Sequence, residues 1–169
     1  MPMTPKEMIN FLEKTINSLK NRKKCEEIMV PINRLFCKNS FESVKGTLGK
    51  MIELSIGHVP VLDENKKVSG VFTAFSLLSI MADRKGEPLS ENFSFTDAKK
   101  YIRLDLHDSE VYSFAEKNLY VDELKNIFEK TYSGGKRLAM VFITSNGKED
   151  GKLLGTISPW DVLGKEDKF

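Results

Sequence analysis

Apolar positions fall into two rhythms along this chain, one helical and one extended, and the order in which they alternate nearly repeats. The first helical stretch sets Met8, Phe11, Leu12, Ile16 and Leu19 on one face. Thr4-Pro5-Lys6-Glu7 supplies its start: an N-cap hydroxyl, a proline at the first helical position and a glutamate placed to close a capping box. Its end is Lys20-Asn21-Arg22-Lys23-Lys24, where cations suit the negative end of the helix dipole. Residues 1–24 are thus expected to form an N-terminal amphipathic helix.

A first unit is expected over residues 25–83. Cys25 to Pro31 reads as a short helical turn broken by proline, and Leu35-Phe36-Cys37 as a short strand. Ser40 would cap a helix with Phe41, Val44, Leu48 and Met51 along one face, and Gly46 and Gly49 inside it. His58 to Leu62 predicts a strand, Asp63 to Lys67 a hairpin turn, Val68 to Thr73 the returning strand, and Phe75 to Ala82 a closing helix. A connector over 84–110 carries the breakers Gly86 and Pro88, a short helix at Phe95, Ala98 and Ile102, and a polar loop.

The second unit, 111–169, repeats the order. Val111 to Phe114 is a strand, and Val121, Leu124, Ile127 and Phe128 mark a helix broken at Ser133-Gly134-Gly135-Lys136. Leu138 to Thr144 is a strand, Ser145 to Lys152 a turn, Leu153 to Ile157 the return, and a helix starts at Pro159. Each unit reads strand, helix, strand, strand, helix, which makes the fold class α+β with helices on one face of each sheet.

The strand-to-helix junction Gly155-Thr156-Ile157-Ser158-Pro159-Trp160-Asp161 has a weaker copy at Gly70-Val71-Phe72-Thr73-Ala74-Phe75-Ser76. Gly70 and Gly155, Thr73 and Ser158, and Ser76 and Asp161 all share one offset of 85 residues. A glycine, a hydroxyl and a carboxylate at such a junction suit an anion or a sugar hydroxyl. They equally form a helix cap, with Ser158 as N-cap, Pro159 at the first position and Asp161 at the third, satisfying their own backbone.

Composition narrows the choice of function. The net charge of +2 gives no global case for nucleic acid, although residues 1–24 hold six basic and two acidic side chains. The bland reading of that cluster is a solvated helix end. Two cysteines, Cys25 and Cys37, make no disulfide framework and read as reduced thiols. No run approaches the ~18 apolar residues of a membrane span, and a cytoplasmic location is expected. Two histidines, His58 and His107, offer no paired metal-ligand spacing, and no nucleotide-hydrolysis loop or nucleophile elbow occurs, so neither a catalytic nor a metal site is assigned.

With Val-Pro-Val-Leu-Asp in a strand, a hairpin, and Gly-apolar-apolar-Thr/Ser-x-x-Asp at the last helix, the chain resembles the cystathionine-β-synthase (CBS) domain pair, or Bateman module, over about 25–165. The resemblance implies tandem CBS domains, two βαββα units related by a pseudo-twofold axis, packed by their sheets with two clefts between them. It implies a regulatory sensor rather than an enzyme, binding an adenosine-containing ligand such as AMP, ADP, ATP, cyclic di-AMP or S-adenosylmethionine. It also implies a homodimer through the CBS helices and an effector protein of unknown identity; nucleic acid and membrane are not expected partners.

By the family pattern Asp161 holds the ribose hydroxyls and Ser158 a phosphate. Thr73 is the matching hydroxyl of the first repeat, where Ser76 replaces the carboxylate, so one competent cleft is expected. Ile157, Met140 and Ser113 can wall the base, Pro60 is the strand proline that flanks it, and His58 stands beside a phosphate or the base. Met140-Val141-Phe142 occupies the place of His58-Val59-Pro60, so the second repeat lacks that proline. Several bland readings compete: a locally satisfied His58, a Trp160 packed against its neighbours, and Lys136 and Arg137 solvated at a turn. The rival function is a ligand-free dimerisation or docking scaffold.

Overall fold

A computed structural model describes residues 3–106, 110–133 and 135–163; His107, Gly134 and the chain beyond 163 lie outside the described residues. Helix α1 (Pro5–Lys20) starts as its sequence dictates. Glu7 N–H donates to Thr4 Oγ1 at 3.3 Å, and Thr4 N–H donates to Glu7 Oε2 at 2.8 Å. None of its residues is buried, so the apolar face faces outward.

The remaining elements form two sheets. Short helix α2 (Cys25–Ile28) leads into strand β1 (Val30–Pro31), and the chain then crosses to strand β2 (Lys38–Asn39) and helix α3 (Thr47–Leu54). Strands β3 (His58–Leu62) and β4 (Val68–Thr73) form an antiparallel hairpin followed by helix α4 (Ala74–Asp83). Helix α5 (Lys99–Ile102) and a 3-10 turn at Leu104–Leu106 lead to strand β5 (Glu110–Glu116), helix α6 (Val121–Ser133), strands β6 (Arg137–Thr144) and β7 (Leu153–Ile157), and helix α7 (Pro159–Leu163). One sheet runs β2-β3-β4; the other runs β1-β7-β6-β5. Strand β1 therefore joins the sheet of the second repeat, pairing Val30 with Thr156 and Pro31 with Gly155. Cys25 and Ile28 lie in that repeat's core too, and burial pushes the Cys25 thiol up to about 11, which marks it as a packing group.

Strand alternation decides where the cores sit. In β6, Leu138, Val141 and Ile143 point to the helices of their own repeat, whereas Met140 and Phe142 point to the other sheet. In the first repeat Val59, Val61 and Phe72 face helices, and Leu62, Val68 and Val71 meet Met140, Phe142 and Leu153 in a core shared between the sheets. Strands buried on both faces need apolar residues at nearly every position, and β3 and β6 provide them. The sheets are also stitched directly, with Leu153 N–H donating to Lys66 O at 2.9 Å.

Two expected elements are displaced, for one reason. Residues 35–37 are not a strand; the strand is Lys38–Asn39, parallel to β3. The helix expected from Ser40 begins at Thr47 instead, and Phe41 is exposed rather than on a packed face. The connector takes the backbone groups that a helix there would need. Val44 N–H donates to Phe93 O at 2.9 Å, Phe95 N–H to Glu42 O at 3.1 Å, and Thr96 N–H to Ser40 O at 2.8 Å. Gly46, expected inside the helix, is instead its N-cap, at φ +79°, a conformation that a glycine adopts without strain. Phe95, Ala98 and Ile102 are buried in the first repeat's core, although only Lys99–Ile102 is helical.

Candidate functional site

A cavity of about 720 Å³ opens between the repeats. One wall is the strand-to-helix junction of the second repeat, where β7 ends at Ile157 and α7 begins at Pro159. Proline fixes the first helical φ, and Ser158 turns the chain so that Ser158 and Asp161 stand at the cavity edge. Asp161 Oδ2 accepts from Ser158 N–H at 2.8 Å and from Ser158 Oγ at 2.7 Å. This is the cap that the sequence allowed. It occupies one carboxylate oxygen and commits the serine hydroxyl hydrogen to Asp161, while Oδ1 keeps its lone pairs for a further donor.

The facing wall comes from the first repeat. The loop Leu54 to Gly57 and His58 at the start of β3 lie across from Arg137 and Met140 of β6, with Arg34 and Phe36 closing the side next to β1. His58 Nε2 donates to Glu110 Oε2 at 2.8 Å, and Arg137 pairs with Glu110 through Oε1. A histidine of one repeat is thereby tied to a carboxylate and a guanidinium of the other. Burial alone would raise the Glu110 carboxyl, but the hydrogen bonds from His58 and Arg137 outweigh it and hold the group below its ordinary value of 4.5. Behind them Tyr112 stacks on Phe142 with centroids 5.9 Å apart, and burial together with the Glu110 charge pushes its phenol well above the usual range.

The sign of the Glu110 shift fixes a pH dependence. A carboxylate with a depressed folded value stabilises above its unfolded value and loses that contribution as pH falls through the folded one. Melting temperature should therefore drop on acidification below about pH 4.5, more steeply in the wild type than in Glu110→Gln. Thermal unfolding between pH 6 and 3 checks this; parallel curves would show that the bridge contributes nothing.

Four of the eight residues singled out from the sequence line the cavity: Asp161, Ser158, Met140 and His58. The other four do not, each for a structural reason. Ile157 alternates away from Thr156 and Ser158 and is wholly buried in the helix-side core. Ser113 pairs with Val141, on the sheet face opposite Met140; its neighbour Tyr112 is the residue that pairs with Met140. Pro60 is buried where β3 pairs with Val71 of β4. Thr73 and Ser76 are buried and closed on each other, with Ser76 N–H donating to Thr73 Oγ1 and Thr73 N–H to Ser76 Oγ.

Three further positions bear on the cavity. Trp160, expected to pack, is 81% exposed on the cavity rim. Arg137 is solvated as expected, its side chain 68% exposed, yet it also pairs with Glu110 and lines the cavity, whereas Lys136 stays outside it. Arg34 was not singled out; it contributes a guanidinium with no carboxylate partner among the described residues. Its only signal in the sequence was a place in the loop after Pro31. Among the described residues no group of His, Cys, Asp or Glu is arranged to hold a metal ion, and no helix is long and apolar enough to cross a membrane.

Residues 26–83 match the family described as CBS domain. None of the curated proteins matches the chain. Solved structures do resemble it. CBSX2 in complex with AMP aligns at a TM-score of 0.57 and 15% identity, covering 83% of this chain and 93% of that one. The CBS domains of a Streptococcus pneumoniae transcriptional regulator align at 0.55 and 19%, covering 85% and 98%. The CBS domain of a bacterial CNNM/CorC family Mg2+ transporter in complex with ATP aligns at 0.55 and 17%, covering 88% and 89%. At these identities the likeness is one of fold.

Proposed function

From a chain that carries a CBS domain and has the fold of a tandem CBS pair, we propose a regulatory module that binds an adenine nucleotide in the cavity between its repeats. One observation carries the reading: a cavity lined by both repeats gathers the Asp161 carboxylate, the Ser158 hydroxyl and the guanidinium groups of Arg34 and Arg137. Asp161 Oδ1 accepts from the ribose hydroxyls, and Arg34 and Arg137 face the phosphate. Met140, Ile56 and Phe36 offer apolar walls for the base, and Trp160 stands where a purine can stack. When ribose hydroxyls engage Asp161, the Ser158 hydroxyl can turn to donate to a phosphate oxygen. The AMP and ATP complexes of CBSX2 and of the CNNM/CorC transporter support this ligand class.

Because the walls belong to different repeats, a ligand that draws them together biases the packing across the shared core, and a partner reads that change. The exposed side chains Ile52 on α3 and Phe75 and Leu78 on α4 are apolar positions where such an effector, or the CBS helices of a second module, can dock.

Isothermal titration against AMP, ADP, ATP, cyclic di-AMP and S-adenosylmethionine tests the proposal. The two arginines predict that phosphate-bearing ligands bind at least about tenfold more tightly than S-adenosylmethionine, since each charge-assisted contact contributes about 1.5–3 kcal/mol. If no ligand of the panel binds, the sensor reading fails. The mutually satisfied pairs Ser158–Asp161 and Thr73–Ser76 would then favour a ligand-free docking scaffold.

A further inference from the structure

Helix α1 lies outside the cores, yet among the described elements it exposes the most large apolar side chains. Met8, Ile9, Phe11, Leu12, Ile16 and Leu19 are each about half exposed or more. A single solvated helix with such a face is an unfinished contact. We propose that this face pairs with the same helix of a second copy, as a short parallel two-stranded coiled coil.

The spacing identifies the occupant. Ile9, Leu12, Ile16 and Leu19 follow one another at intervals of three, four and three, the a and d positions of two heptads. Both a positions are isoleucine and both d positions are leucine, the combination that selects two parallel strands over higher oligomers. The positions flanking the seam raise no objection. In a parallel pair Met8 lies beside Glu13 of the second copy, and Thr15 beside its Lys20, so no like charges oppose each other.

Area is sufficient as well. Phe11 falls at a c position off the seam; the other five side chains, half exposed, offer roughly 100 Å² each, so the pair would bury about 1,000 Å² in total, the minimum for a specific interface. The other candidate occupant, a lipid surface, is disfavoured by the polar face. Lys6, Lys14 and Lys20 there are nearly balanced by Glu7 and Glu13, whereas interfacial helices carry a strongly basic face.

The attachment of the helix suits this geometry. Its C-terminal end is held to the body, with Arg22 bound to Asp122 at 2.8 Å and stacked over Tyr120 at 3.8 Å. Parallel pairing therefore brings two anchored bodies to the same end of the seam.

Sedimentation equilibrium of the full chain and of the double variant Leu12→Lys/Ile16→Lys tests the proposal. Both positions are exposed in the single chain and outside the cores, so the two repeats should stay folded, read as a cooperative unfolding transition by circular dichroism, with any loss of midpoint reflecting the lost dimer. The wild type should be a dimer, and the variant should associate at least about 100-fold more weakly. In a Cys25→Ser/Cys37→Ser background, Leu19→Cys should form an intermolecular disulfide on oxidation. A wild type that stays monomeric, a dimer that survives the double substitution, or a failure of Leu19→Cys to cross-link overturns the parallel seam. So does a monomer that co-sediments with anionic phosphatidylserine vesicles.

Discussion

Asp161→Ala is expected to abolish nucleotide binding at concentrations that saturate the wild type, while the protein stays folded. The two effects separate because the proposed site asks a different thing of each carboxylate oxygen. Oδ2 caps α7 through Ser158, and removing a cap costs about 1 kcal/mol. The lost ligand contacts are larger. Two ribose hydroxyls donating to a charged acceptor contribute about 1.5–3 kcal/mol each, so affinity should fall by roughly two orders of magnitude or more.

Asp161→Asn refines the result. The amide oxygen can still accept from Ser158, so melting temperature should return toward the wild-type value while affinity stays low, because the negative charge is gone. Isothermal titration with AMP and ATP, paired with thermal unfolding, reads both effects. If Asp161→Ala binds as tightly as the wild type, the ribose assignment is wrong and the carboxylate is only a cap.

The Ser158–Asp161 cap explains why the candidate site was only half legible in the sequence. The repeat of glycine, hydroxyl and third residue located Asp161 and Ser158, and both capping and ligand binding remained open because the same atoms serve either. Strand parity carries the rest of the signal. Once Ser158 faces the cavity, Ile157 must face the core, and once Met140 faces it, the residue across β5 is Tyr112 rather than Ser113. The cross-repeat bridge was beyond reach, since His58 and Glu110 are 52 residues apart and no local pattern joins them.

The fold was easier to read where hydrophobic alternation carried it and harder where tertiary hydrogen bonds overrode local preference. Strands β3, β4, β6 and β7 fell at or within a residue of the expected positions because two buried faces demand uninterrupted apolar runs. The stretch from Ser40 to Lys45 had helical spacing, but residues 93–96 took its backbone partners. The repeat pattern likewise could not reveal that β1 crosses to the second sheet.

The glycines of the repeated junction give the sharpest stability contrast. Gly70→Ala should destabilise by about 3 kcal/mol, because it is an overpacking change against backbone. A Cβ there would lie 2.4 Å from the carbonyl oxygen of Ile102 and 2.8 Å from its Cγ1. Ile102 is buried in the first repeat's core and belongs to the segment that carries Phe95 and Ala98, so it cannot retreat without opening that core. Near 2–4 °C per kcal/mol for a chain of this size, melting temperature should fall by roughly 6–12 °C.

Gly155→Ala meets Val30 O at 2.6 Å and Met29 Sδ at 2.9 Å, a slightly longer backbone contact than at Gly70 and a flexible thioether. It should cost less, about 1–2 kcal/mol. Val30 lines the cavity, so this variant should also weaken nucleotide binding, which Gly70→Ala should leave intact wherever the protein remains folded. Gly49→Ala is the counterpart of opposite sign. Gly49 sits in the interior of α3 with open space where a Cβ would go, so the substitution should stabilise by about 1 kcal/mol. Thermal unfolding of the three variants should rank Gly49→Ala above the wild type, then Gly155→Ala, then Gly70→Ala. A Gly70→Ala protein as stable as the wild type would show that Ile102 is not held as tightly as its burial implies.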